Sequence, residues 1–140
     1  MGLSQPRLQQ LNDLGLLALR LGFGAMFIFH GAPKMAGGPD QWTKLGKAMK
    51  FMGVDAYPEI FGFLASFAEF FGGVALLLGL ATRPFAFLMF STMLVASVMH
   101  LRKGDGLSEA SHAIEAAFAF LAILLAGAGR YSLDHRLRDR

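Results

Sequence analysis

Seven ionisable side chains stand in or beside apolar stretches of this 140-residue chain: Arg20, His30, Lys34, Glu69, His100, His112 and Glu115. An unpaired charge in hydrocarbon costs several kcal/mol or more, so each needs a counter-ion, a proton, a metal or a ligand. The chemistry open to such a set is ion pairing, proton exchange, and binding of a divalent first-row metal or a quinone-like head group through imidazole and carboxylate. The chain has no Cys, which excludes thiol–disulfide exchange and Cys-ligated clusters carried by the chain itself.

Helical spacing indicates where these groups point. Gly62, Ala65, Ser66, Gly72 and Gly73 share a face with Glu69. Small residues let membrane helices approach closely, so Glu69 is expected to face the interior of a bundle. Arg20 lies on a stripe with Gly24, Phe27, Gly31 and Lys34. With antiparallel helices Arg20 is about 9 Å and Glu69 about 15 Å from the same end, so a buried Arg20–Glu69 ion pair is expected. That pair either fixes helix register alone or belongs to a proton-accepting network. Glu115 shares its face with Ser108, Ser111, Ala119, Ala122 and Ala126, and His112 lies one turn before it, which predicts a second interior acid.

His30, His100 and His112 all fall at helix ends away from the chain termini. Arg20, Glu69 and Glu115 are therefore the candidate charge network. His30, His100, His112 and Lys34 are the candidate cofactor-binding set, and His30, His100, His112 and Glu115 the candidate metal ligands. Ala86, Met89, Met93 and Ala96 form a stripe leading to His100, which suits either packing or a flat apolar ligand.

The elements that position these groups follow from composition. The chain is 54% hydrophobic and 16% charged, with a mean hydropathy of +0.47, more apolar surface than a soluble domain of this size can hide. Its net charge is +3 and its pI about 9.6, but Lys and Arg sit between apolar blocks, a pattern that excludes nucleic-acid binding. Apolar blocks at 14–32, 60–80, 84–101 and 110–128 are each near the length, about 20 residues, that crosses a bilayer. The first follows a long polar lead and has no small-x-small cleavage site, so a cleaved signal peptide is not expected. The fold class is all-α: an integral membrane four-helix bundle, one domain over 1–140.

In "DQWTKLGKAMKFMG" Trp42, Leu45, Met49 and Met52 recur at helical spacing, which predicts a short amphipathic surface helix between the first and second spans. Pro84 is placed for a helix start and Ser108 for an N-cap. Arg7, Arg83, Arg130, Arg136, Arg138 and Arg140 lie on the side of the termini, against Lys34, Lys44, Lys47, Lys50, Arg102 and Lys103 on the other. The counts are equal, and cytoplasmic termini are the expectation because the terminal-side charges crowd against helix ends. Small residues at Gly22, Ala25, Ala75 and Gly79, off the charged stripes, predict a homodimer or larger complex.

"LRLGFGAMFIFHGAPK", "AEFFGGVALLLGLATR" and "EAAFAFLAILLAGAGRYSLD" resemble the first, second and fourth helices of the DoxX family of small four-helix membrane proteins, over about 14–135. The matching parts occur in order: Arg20 with Gly31-x-x-Lys34, Glu69 with Gly72-Gly73 and Gly79-Leu80-x-Thr82-Arg83, and Glu115 with Gly129-Arg130-x-Ser132-Leu133-Asp134. Ala128 stands where many members have Pro. The resemblance implies a bacterial-type inner membrane location and shared Arg and Glu positions at Arg20, Glu69 and Glu115. The family takes its name from a subunit associated with thiosulfate:quinone oxidoreductase, so a quinone-linked redox component with a redox-enzyme partner is one implied function. A non-enzymatic scaffold or small-solute carrier, with purely structural ion pairs, is the other.

Overall fold

The structure is a computed structural model and describes residues 4–139; Arg140 lies outside them. It contains α1 (Gln5–Ala36), α2 (Gly38–Gly46), a 3-10 segment (Lys47–Met52), α3 (Pro58–Leu78), α4 (Thr82–Lys103), α5 (Gly106–Ala126) and α6 (Leu133–Arg138). Among the described residues there is no strand. α1, α3, α4 and α5 are long and apolar enough to cross a membrane. α1 begins nine residues before the expected span because Leu8, Leu11 and Leu14 continue its apolar spacing through the polar lead.

The helices pack in the order α1, α3, α4, α5, and α5 meets α1 again over a short stretch. Glycine sets the closest approaches. A Cβ on Gly31 would lie 2.5 Å from Phe70 N, and one on Gly24 would lie 2.9 Å from the Gly73 carbonyl. These contacts put Gly31 level with Glu69, and Gly24 level with Gly73. On α4, Met89 is fully buried and fills the space left by Gly72. The methionine stripe is therefore chiefly packing, in one apolar cluster with Phe27, Leu76, Phe120 and Ile123.

The short helix expected between the first and second spans is present as α2, and the 3-10 segment Lys47–Met52 continues it. Gly46 backs onto the Pro58 carbonyl and Gly62 onto the Trp42 carbonyl, with no room for a Cβ at either, so α2 runs antiparallel along the first turns of α3. The Trp42 indole donates to the Lys34 carbonyl at 3.1 Å, and Arg102 donates to the Phe51 carbonyl at 2.8 Å, tying the 3-10 segment to the end of α4. Two small residues expected at a dimer face, Ala75 and Gly79, are buried inside the bundle, while Gly22 and Ala25 remain exposed.

Both turns between spanning helices are built on left-handed residues. α3 ends at Gly79 (φ 65), where Leu80 N–H returns to the Ala75 carbonyl at 3.0 Å. α5 starts at Gly106, two residues ahead of the expected Ser108 cap; the Ser108 carbonyl instead accepts from the Ser111 hydroxyl. Asp105 in this turn takes His100 Nδ1 at 2.8 Å and Lys103 Nζ at 3.4 Å. The His100 hydrogen bond, aided by Lys103, holds the Asp105 carboxyl below the usual carboxylate range.

Candidate functional site: a membrane groove and a terminal lock

Glu69 lies 11 residues into α3, about 16 Å along its axis, and is almost fully buried. Its partner is Lys34: Nζ reaches Oε2 at 2.6 Å and Oε1 at 2.8 Å. The expected Arg20–Glu69 pair does not form. Close packing at Gly31 brings the end of α1 level with Glu69, so Lys34 lies within reach while Arg20, about three turns before Gly31, lies level with Gly79. The signal in the sequence was Gly31-x-x-Lys34, in which the glycine sets the approach and the lysine, one turn on, supplies the charge.

Arg20 is fully buried and serves a different end of the molecule. Its Nη2 donates to the Tyr131 carbonyl at 2.5 Å, and Nη1 occupies the space a Cβ on Gly79 would need. Asp134 accepts from the Ala81 and Thr82 amides at 2.7 and 2.9 Å, which caps α4 behind a left-handed Ala81, and the Asp134 amide donates to the Gly79 carbonyl at 2.8 Å. Burial pushes the Asp134 carboxyl up, but the Thr82 and Ala81 hydrogen bonds and the Arg20 charge outweigh it and hold it below the usual range. The Ser132 hydroxyl accepts from the His135 amide at 3.2 Å, capping α6. The Gly79–Arg83 and Gly129–Asp134 motifs are thus two halves of one lock that fastens the chain end onto the α3–α4 turn.

The remaining candidates share a cavity of about 880 Å³ between α1 and α5, within the range of small-molecule sites. Its α1 wall carries Leu19, Gly22, Met26, His30 and Lys34, a run from Ala18 to Lys34 of about 24 Å of helix. Glu109, His112 and Glu115 line it from α5, Met93 and His100 from α4, and Glu69 from α3. Phe23 and Phe27 meet Phe120 edge-on, with centroids 5.5 and 4.8 Å apart, where α1 touches α5. One end of the cavity is apolar and the other carries three imidazoles, three carboxylates and an ammonium.

Glu115 does not lie in the bundle interior. It is exposed on the groove side of α5, nine residues from the helix start, because the tightly packed positions of α5 are Ala113, Ala116, Ala117 and Phe120. His30 and His112 are exposed on opposite walls, and the hydrogen bond to Asp105 fixes His100. Among the described residues no three His, Asp or Glu side chains come close enough to hold a metal ion, and the expected His30, His100, His112 and Glu115 set is no exception. Glu109 also lines the cavity; its place one turn before His112 was the available signal.

Four membrane-length helices with a side groove and a locked chain end define a small multi-pass membrane protein. The DoxX family model matches residues 15–102, more than half of the chain, and the chain belongs to the DoxX family. It is 30% identical over 136 residues to inner membrane protein YqjF of Escherichia coli (strain K12), an alignment covering 95% of this chain and 99% of that protein. No solved structure matches.

Proposed function

We propose that the chain is a quinone-binding component of an oxidoreductase system in a bacterial-type inner membrane, and that the α1–α5 groove is the binding site. The observation that carries this reading is the polarity gradient of the groove, from Leu19, Gly22 and Met26 at one end to His30, Lys34, Glu69, His112 and Glu115 at the other. An amphiphile with a hydrogen-bonding head and an apolar tail fits such a site. Among the described residues no three His, Asp or Glu side chains converge, an arrangement that suits an organic molecule better than a metal ion.

A bound quinone would supply two-electron redox chemistry, with electrons delivered from a partner redox subunit. The chain's own residues bind and move protons. The Lys34–Glu69 pair holds a compact dipole at the inner end of the groove. His112 and Glu115, on one wall and exposed to it, are placed to donate to and accept from a polar head and to exchange protons toward the surface marked by His100 and Glu109. Arg20 does not line this groove, and its hydrogen bond to the Tyr131 carbonyl supports a structural role in the terminal lock.

The test is extraction in native lipid nanodiscs followed by mass spectrometry of retained isoprenoid quinone. Enrichment over bulk lipid is expected, with a loss of about ten-fold in Met26→Trp, which fills the groove. Retention at the bulk level, or enrichment unchanged by Met26→Trp, refutes it. Glu115→Gln should lower turnover in the reconstituted system without lowering retention.

A further inference from the structure

A second hollow, of about 620 Å³, opens at the opposite end of the bundle, where α4 begins and α5 ends. We propose that this hollow binds a phosphate group, supplied by the head of an anionic phospholipid. Three guanidiniums line it, those of Arg83, Arg130 and Arg138. Among the described residues none of the three takes part in an ion pair. Of the two carboxylates beside them, Asp134 is engaged by the Ala81 and Thr82 amides, while Asp13 takes the Arg130 amide on Oδ1 at 3.0 Å and keeps Oδ2 buried without a partner.

A second, independent observation lies in the wall. Thr82 is fully buried and lines the hollow beside the Asp134 carboxylate, to which its hydroxyl makes no hydrogen bond of good geometry. Buried polar groups are almost always paired, so this hydroxyl is open to a second acceptor in the hollow besides Asp134. Several forked donors around one space suit a tetrahedral anion with several acceptor oxygens, and arginine is the residue best matched to it. Location favours a lipid over a free ion. Phe87 and Leu125, one turn or less inward of Arg83 and Ala126, are strongly exposed, so a headgroup in the hollow has apolar surface beside it for its chains.

The experiment uses the full chain in detergent and in nanodiscs, with phosphatidylglycerol and phosphatidylcholine as probes and native mass spectrometry as readout. Wild type should retain phosphatidylglycerol in preference, and Arg130→Gln and Arg138→Gln should each lower that retention about five-fold. Neither change is expected to unfold the protein, because Arg130 is held through its backbone amide, and no hydrogen bond from the Arg138 side chain is found among the described residues. Lys44→Gln with Lys47→Gln, at the other end of the molecule, should leave retention unchanged. Inorganic phosphate in detergent is the second arm. Thermal stabilisation by it, lost in Arg130→Gln/Arg138→Gln and without lipid preference, keeps the phosphate site but overturns the lipid as its source. Equal retention of both lipids with no response to phosphate, or retention insensitive to both arginine changes, overturns the proposal.

Discussion

Glu69 and Lys34 should be energetically coupled, and Glu69 and Arg20 should not. The Lys34 ammonium reaches both carboxylate oxygens, at 2.6 and 2.8 Å, with side chains 32% and 5% exposed. At an effective dielectric of about 20, two unit charges about 4 Å apart attract by roughly 4 kcal/mol before desolvation is subtracted. Stranding one member of a buried pair costs about 3–5 kcal/mol. Lys34→Met strands the more buried charge and should fall within that range. Glu69→Gln should cost less, about 2–3 kcal/mol, because Lys34 can turn its partly exposed head toward water. The double change removes both charges, so it should cost well under the sum, with a coupling of about 2–3 kcal/mol.

Arg20→Met with Glu69→Gln is the control. Glu69 and Gly79 are ten residues, about 15 Å, apart along α3, so coupling there should stay below about 0.5 kcal/mol. Reversible unfolding in mixed micelles, followed through Trp42, gives the energies; it is the chain's one tryptophan and is bonded to the Lys34 carbonyl. A coupling of Glu69 to Arg20 as large as that to Lys34 would refute the register derived from Gly31.

The other expectations concern the lock, the helix contacts and sidedness. Asp134→Ala should destabilise the protein by about 1.5–3 kcal/mol through loss of charge-assisted caps on α4. Because folding lowers the Asp134 value, its contribution is complete above about pH 4 and is lost as pH falls through the depressed value, an acid transition that the alanine variant should lack. Gly31→Ala, whose new methyl meets the Phe70 backbone, should cost about 1–3 kcal/mol, whereas Gly22→Ala, with nothing within 4 Å, should be neutral or stabilising by up to about 1 kcal/mol in the same unfolding assay. Ser4→Cys and Arg138→Cys should label from one side of the membrane in sealed vesicles; opposite sidedness would contradict an even number of crossings.

Four spans, the burial of Glu69 and the glycine face around it were legible in the sequence, because each depends on local composition and on the 3.6-residue repeat of a single helix. The same repeat grouped His30, His100, His112 and Glu115 toward one end. Periodicity does not say how far one helix slides along its neighbour. That offset is decided by backbone contacts at Gly24, Gly31 and Gly73, and it gave Glu69 to Lys34 in place of Arg20. It also does not say which faces stay open. α5 turns Ala113, Ala116 and Phe120 inward, so Glu115, on a stripe of small residues like that of Glu69, faces a groove instead of a core. The link from Asp134 to the Ala81 and Thr82 amides spans more than 50 residues of chain. A residue's own sequence neighbourhood describes what it can bond, and only the packed bundle determines which distant group arrives to meet it.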